Sequence, residues 1–490
     1  MILDTERKGN SLIFSFFNKE GKVDYLRKDF VDSYKWEVTN DRDKNKHPSV
    51  RNWDGKPVKK TKSFYMGKFE MVEFIENLPT DEQADLFQNS MPNIHFIDIE
   101  VEVTDGFPHA ELAENPITTI AIVNPNKESI VLGLKDLSKY EVYDIENEIN
   151  LYIKATGHEF KFKYIKFDSE YDMLSTFIKN YVVNFPVMSG WNVINFDWTY
   201  IVNRCKRLAI DLKYASPSQQ LTKENIPLHV GIIDYMEAIR KWDRSIEMKE
   251  NFTLDFIASA VLKGLKKIKY NGTLDTLYRT DFKKYVYYNV IDTILVYLID
   301  QKLKTLEIMF TLANVCKISL YKASAPVTIT ESLLCRKFLE RNQVMAFDPS
   351  KVGGKAGQYA GAYVKKPYVG RHRGLSCFDF ASLYPSIMRE INVSPEAFIE
   401  KLYIKEPRTD NDTETLEYNK NLILKAKSPD KIIAVNGVVY QKKDSILKQI
   451  LNDLYTQRKT YKKKYFSYES HADKIEHILK DRKLKPYGTI

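Results

Sequence analysis

A chain of 490 residues is too long for one hydrophobic core, so about three domains are expected. Its 43% hydrophobic and 28% charged residues are ordinary for a globular protein, and no run nears the roughly 18 apolar residues of a membrane span or forms a leader at MILDTERKGN, so a soluble protein in the cytoplasm is expected. Cys205, Cys316, Cys335 and Cys377 lack any CxxC spacing and point to neither a zinc site nor a disulfide framework, while a net charge of +9 with 31 Tyr suits a phosphate-bearing partner.

In chain order, residues 1–90 read as mixed, with short runs such as SLIFSFF (Ser11 to Phe17) and a polar loop from Thr39 to Lys62. From Asn93 strands and helices alternate. IHFIDIEVEV, ITTIAIV and FPVMSGWN predict strands; FDWTYIVNRCKRLAI and KYVYYNVIDTILVYLIDQKLKTL predict helices. This alternation predicts an α/β layered domain. A helical stretch runs to about Gln343, and a new strand–turn–helix unit begins at Leu375 with SCFDFASLYPSIMRE. Ser445 to Lys483 reads as one or two basic helices. Leu447, Leu451, Leu454, Arg458, Lys462 and Tyr465 lie on one stripe. From Gln441 to Ile490 there are 13 Lys/Arg against 6 Asp/Glu, so this segment holds most of the excess positive charge.

Three short segments carry acidic chemistry. A strand alternates its faces, so in Phe96–Val101 the side chains of Ile97, Ile99 and Val101 point one way and those of Asp98 and Glu100 the other. Two neighbouring carboxylates on a mostly buried strand repel and lose hydration, which a divalent cation would offset. A half-exposed edge strand would also tolerate them. In SGWNVINFD, Asp197 stands between an apolar strand and a helix, where it could also be an N-cap. Tyr288 and Asp292 are four residues apart and share a helix face, which alone is an ordinary coincidence. In order and spacing the three together resemble the DxE, NxxxFD and YxxxD motifs of the DEDDy 3′→5′ exonucleases. That resemblance implies two Mg²⁺ (or Mn²⁺) ions. Asp98 would bridge them, Glu100 and Asp292 would complete one site, and Asp197 would support the other, directly or through water. Tyr288 would orient the attacking water. Asn192 and Phe196 would line the groove for terminal nucleotides, Phe196 by stacking on a base.

The segment CFDFASLYPSI (Cys377 to Ile387) resembles motif A of family B DNA polymerases, the DxxSLYPSI signature. Read physically, Asp379 ends a strand, a tight turn follows, and a helix starts near Pro385. The resemblance makes Asp379 one of two catalytic metal ligands, and assigns Leu383 and Tyr384 to nucleotide binding, Tyr384 as the gate that excludes a 2′-hydroxyl. Tyr359 and Gly361, in YAGA, resemble the YxGG/A element that contacts template DNA, with Ala362 as a departure. Arg458 and Lys462, in QRKTYKKK, resemble the first fingers helix, whose basic groups grip the triphosphate.

The resemblance covers nearly the whole chain, within family B nearest to the polymerases of T-even-like phages, and is supported by AENPITTIAI, GIIDYMEAIRK, NFTLDFIAS and NVSPEAF. It implies an α/β and α+β multidomain fold: an N-terminal domain at 1–90 with 308–350 packing back on it, a ribonuclease H-like exonuclease domain at 91–307, a partial palm at 351–444 and partial fingers at 445–490. Its implied partners are single-stranded DNA, primer–template DNA, dNTPs and a sliding clamp. The family's KxxxNSxYG helix and DTDS turn do not occur in this sequence, and one carboxylate of a pair cannot hold a two-metal polymerase site. The expectation is therefore one subunit of a split replicative polymerase, completed by a second polypeptide. A truncated chain, a degenerate remnant, a stand-alone exonuclease and a non-enzymatic nucleic-acid-binding protein are the alternatives. An isolated half-palm is expected to expose apolar surface and self-associate.

Overall fold

The computed structural model describes residues 2–481, except 30, 64–65, 88–90, 104–105, 107, 223–224, 243–250, 271, 347–364, 381 and 406–411. The chain divides into two compact units, Met1–Asp32 with Ile75–Ser332, and Ser33–Phe74 with Leu333–Ile490. Residues 1–90 thus fall partly in each. Among the described residues, no helix is long and apolar enough to cross a membrane.

The first unit opens with an antiparallel sheet, β1 (Ile2–Lys8), β2 (Ser11–Phe17) and β3 (Val23–Lys28), in that order. In the second unit, β4 (Tyr34–Val38) pairs antiparallel with β6 (Val58–Lys62), and β5 (Arg51–Asn52) pairs with a later strand. The polar loop expected over 39–62 therefore contains two strands. The lysines of VKKTK hid β6, because Lys60 lays its ammonium 3.9 Å from the Tyr34 ring and 4.8 Å from that of Trp36. Helices α1 (Lys68–Glu76) and α2 (Thr80–Leu86) follow.

The core of the first unit is a six-stranded mixed sheet: β7 (Ile94–Val101), β8 (Ile117–Val123), β9 (Glu128–Gly133), β10 (Lys161–Lys166), β11 (Val187–Gly190) and β12 (Gly231–Asp234). The order is β10-β9-β8-β7-β11-β12. The strands β7, β8 and β9 form an antiparallel meander, and β10, β11 and β12 join in parallel. This mixed α/β layering agrees with the α/β fold expected for this part of the chain. Its helices are α3 (Lys139–Ile153), α4 (Glu170–Thr176), α5 (Thr199–Arg207), α6 (Tyr235–Trp242), α7 (Leu254–Val261), α8 (Leu274–Thr280), α9 (Phe282–Leu303) and α10 (Thr305–Cys316). Ile97, Ile99 and Val101 of β7 are buried in one core cluster with Leu174, Trp198 and Ile201, as the alternation required.

The other face of β7 meets α9. This 22-residue helix starts at Asp281, whose carboxylate accepts from the Lys284 amide at 3.0 Å, and ends where Lys304 takes a left-handed φ of 56°. Every residue from Tyr285 to Asp300 is buried. A helix enclosed on all sides is normally apolar all round. The polar residues inside α9, Tyr288, Asn289, Asp292 and Asp300, therefore stand out against that expectation.

In the second unit, β13 (Gln343–Val344) follows α11 (Pro326–Leu339), begun in the first unit, and pairs with β5. Trp36, Val58, Phe69, Phe338 and Val344 bury together with Ile446 and Ile450. The rest comprises α12 (Leu383–Ile391), α13 (Thr413–Ala426), an antiparallel sheet of β14 (Phe398–Lys401), β15 (Lys431–Ile433) and β16 (Val438–Gln441), and α14 (Ile446–Asp481), a single 36-residue helix. The strand expected at Leu375–Asp379 does not form. Residues 375–380 have no strand partner among the described residues, and Phe378 and Phe380 are 92% and 74% exposed. An extended apolar segment becomes a strand only when a neighbouring strand takes its amides.

Candidate active site

Strand β7 sends Asp98 and Glu100 toward α9, which returns Asp292. One carboxylate oxygen from each lies within 4.8 Å of the others. Burial and the neighbouring charges of Asp197, Glu100 and Asp292 hold Asp98 well above the usual carboxylate range. Burial, then the Asp292 charge, pushes Glu100 up to about 8. Burial raises Asp292 only to about 6, because the Lys267 ammonium opposes it. Buried carboxyl groups held this close can ionise together only with a positive charge among them, which a divalent cation supplies.

Asp197 reaches the site through the sheet's own geometry. Strand β11 pairs with β7 only as far as Ser189 and Phe96. The next outward amide on that side, Ile99 N–H, is left to a side chain, and Asp197 Oδ1 accepts it at 3.0 Å. Burial, countered by that bond, pushes Asp197 up to about 7. Asp197 is not an N-cap. It lies inside a π-turn, Ile194–Trp198, where Trp198 N–H reaches the Val193 carbonyl at 2.8 Å, and α5 begins only afterwards. Such turns often occur at functional sites. Gly190 lets β11 approach β7: a Cβ there would lie 2.5 Å from the Ile97 carbonyl oxygen. Asn192 then turns the chain with φ 60°, a conformation Asn tolerates well. Its Oδ1 accepts from Asn195 at 3.1 Å. Phe196 is half-buried, its ring centroid 5.8 Å from that of Tyr200.

Two residues that sequence reasoning missed complete the site. Lys267 Nζ stands 2.6 Å from Asp292 Oδ2 and 5.0 Å from the centre of the Tyr288 ring. Burial alone would lower its pKa, but the Asp292 and Tyr288 partners win and hold it above the usual range. The Tyr288 phenol is also raised, by burial and then by the Asp292 charge, so it stays a neutral donor near pH 7. Asn289 Nδ2 donates to Asp98 Oδ2 at 2.7 Å. Nothing local marked these two: Lys267 sits in the run KGLKKIKY, which reads as a solvated basic stretch, and Asn289 is one polar residue in an apolar helix.

In the second unit Asp379 lies on the exposed 375–380 segment. Ser382, at φ 55°, leads into α12, where Leu383 and Tyr384 form the first turn and are 40% and 71% exposed. Pro385 is therefore the third helical residue. Arg458 of α14 donates from Nη1 to Ser382 Oγ at 2.6 Å, which brings the motif A turn and the basic helix together. Lys462 Nζ lies 5.5 Å from the ring centre of Phe466 on its own helix. The C-terminus of α12 is tied to the start of α14 through Asn392, whose Nδ2 donates to the carbonyls of Gln441 (2.7 Å) and Lys443 (2.9 Å). Tyr359 and Gly361 lie outside the described residues.

Comparison with known proteins agrees with both halves of this geometry. Residues 69–241 match the family described as DNA polymerase family B, exonuclease domain, and residues 317–484 match DNA polymerase family B. The DNA-directed DNA polymerase of Escherichia phage RB69 is 26% identical over 410 residues, covering 79% of this chain and 44% of that protein. That of Enterobacteria phage T4 is 27% identical over 331 residues, 64% of this chain and 35% of the relative. A DNA polymerase of Thermococcus hydrothermalis is 27% identical over 241 residues, 47% of this chain and 14% of the relative. The chain thus spans less than half the length of these relatives. An exonuclease domain of this family implies divalent-metal use, and the three clustered carboxylates suit it. With an exonuclease-domain match, a polymerase match after it, and a carboxylate cluster whose Asp98 and Glu100 lie in the first and Asp292 between the two, the chain belongs to the family B DNA polymerases.

Proposed function

We propose that the first unit is a two-metal 3′→5′ exonuclease acting on DNA ends, and that the second provides half of a DNA-templated nucleotidyl-transfer site. The observation that carries the reading is the Asp98–Glu100–Asp292 cluster, with three ligand oxygens within 4.8 Å of one another and one lysine against them. The residues fit a divalent cation: Asp292 Oδ1 is buried and has no hydrogen-bond partner, and the donors are the hard oxygens that Mg²⁺ or Mn²⁺ takes. Asp98, Glu100 and Asp292 would hold one ion, and Asp98 with Asp197 the other. Bound there, the ions would stabilise negative charge on the attacking and leaving oxygens of an in-line phosphoryl displacement.

The chain's own groups do the rest. The neutral Tyr288 phenol donates a hydrogen bond that orients a water for attack. Lys267 offsets the Asp292 charge. Phe196 and Asn192, at the end of β11, flank the terminal nucleotides, with the exposed part of the Phe196 ring offered to a base. In the second unit Asp379 would take a metal ion, Leu383 and Tyr384 would meet the incoming nucleotide, and Arg458 and Lys462 the triphosphate. Tyr359 and Gly361 would contact template DNA. We assign residues 91–307 to the exonuclease, 351–444 to part of the palm and 445–490 to part of the fingers. The exposed apolar 375–380 segment favours completion of the palm by further polypeptide, a second chain in the split-subunit reading. Primer–template DNA, dNTPs and a sliding clamp would be its other partners.

The test is a time course with 5′-labelled single-stranded DNA and Mg²⁺, with and without dNTPs, beside Asp98→Ala. Stepwise 3′ shortening that disappears with the variant and with EDTA is the expected result. Folded protein that degrades nothing would overturn the exonuclease assignment.

A further inference from the structure

Asn289 is a buried amide in the middle of the enclosed helix α9. Asparagine is a poor helix-interior residue, and its Oδ1 here has no hydrogen-bond partner. Its Nδ2 makes one contact, 2.7 Å to Asp98 Oδ2, and among the described residues no other group donates to that carboxylate. Against an ionised Asp98, as a bound cation requires, the opposite amide orientation would set a carbonyl oxygen against a carboxylate oxygen, so there the donor faces Asp98. The same helix face grips the neighbouring residue of β7. Tyr285, four residues earlier, has its hydroxyl 2.6 Å from Thr118 Oγ1, which donates to the Glu100 carbonyl at 2.9 Å. Tyr285, Asn289 and Asp292 thus register the Asp98–Glu100 segment from one side.

We infer that Asn289 is a positioning residue for the cation site: its amide fixes the Asp98 carboxylate and thereby sets how tightly the cluster binds a divalent ion. A neutral donor suits this task. A lysine in the same place would add a positive charge and compete with the cation, as Lys267 already does at Asp292. An amide restrains the carboxylate and leaves the negative charge of the cluster intact. Hydrogen bonds from such outer partners hold ligands in binding geometry, and losing one typically weakens metal affinity about 10- to 100-fold. The inference rests on the metal-site reading above.

The experiment measures Mn²⁺ binding to the full chain by the loss of the free-Mn²⁺ paramagnetic resonance signal, and by the Mn²⁺-dependent rise in melting temperature. Wild type, Asp98→Ala, Asn289→Leu and Asn289→Ser are compared, and the binding lost in Asp98→Ala defines the site. Leucine keeps the branched outline, though it is bulkier, and removes the donor, while serine is too short to reach Asp98. Both are expected to melt cooperatively in EDTA and to need about 10-fold or more Mn²⁺ for half-saturation. If leucine prevents folding, serine alone gives the reading. A wild type with no Asp98-dependent Mn²⁺ binding would overturn the metal-site reading and this inference with it. Wild-type binding matched by the folded variants would overturn the inference alone, leaving Asn289 as a packing residue.

Discussion

Replacing Glu100 by glutamine should make the metal-free protein more stable. Glu100 is buried, and its carboxyl is pushed from an ordinary value near 4.5 up to about 8. The folded form therefore holds a proton that the unfolded form has released, and stability falls as pH rises from about 4.5 to about 8. At pH 7.5 the window is about 3 pH units wide. At about 1.36 kcal/mol per unit, it costs the fold about 4 kcal/mol. Glutamine cannot ionise and escapes this cost, but its buried amide forfeits about 1–2 kcal/mol of hydration. The net gain expected for Glu100→Gln in EDTA is about 2–3 kcal/mol, a rise in melting temperature of several degrees for a unit of this size. The gain should shrink as pH falls, vanish between about pH 5 and 6, and become a loss of about 1–2 kcal/mol near pH 4.5. Saturating Mg²⁺ should reverse the order of the two proteins, because only the wild type retains the full ligand set and gains from binding. Calorimetry or circular-dichroism melting at pH 4.5, 6 and 7.5, with EDTA or Mg²⁺, makes the comparison. A variant no more stable than wild type at pH 7.5 in EDTA would refute the claim that these carboxylates are forced together.

Other perturbations read other parts of the same structure. Lys267→Met removes the ammonium that faces buried Asp292; because the lysine is partly exposed, the expected loss in EDTA is about 1–3 kcal/mol, shrinking when Mg²⁺ replaces it as the counter-charge, and an equal loss in both conditions would contradict this. Gly190→Ala places a methyl 2.5 Å from the Ile97 carbonyl and should cost about 1–3 kcal/mol in a melt, with exonuclease activity falling because β7 is displaced. His229 is fully buried, and burial pushes its imidazole down to about 4. The unfolded chain then binds the extra proton first, so this histidine costs stability as pH falls from about 6.5 to about 4, reaching about 3 kcal/mol. The stability of His229→Asn relative to wild type should rise by that amount across the window, and a difference that does not change with pH would show that His229 is protonated in the fold.

The sequence by itself determined the parts that depend on neighbours along the chain. Two-residue alternation decided which face of Phe96–Val101 carries Asp98 and Glu100, and a four-residue spacing put Tyr288 and Asp292 on one face of α9. The long motif around Asp379 declared the family before any contact was known. Tertiary structure decided what depends on who is opposite. Lys267 and Asn289 act on residues distant in sequence, Asn289 from 191 positions away. Neither has a local signature, since a charge-compensating lysine and a solvated one read alike. The same reason explains the missed β6, whose lysines lie over Tyr34 and Trp36, and the strand predicted at Leu375 that does not form. Asp197, which the motif resemblance places at the metal site, could also read as a cap from its place before a helix, but the short β11 leaves it the Ile99 amide to accept. Periodicity is written in the chain; burial, pairing and the balance of charge exist only once distant segments meet.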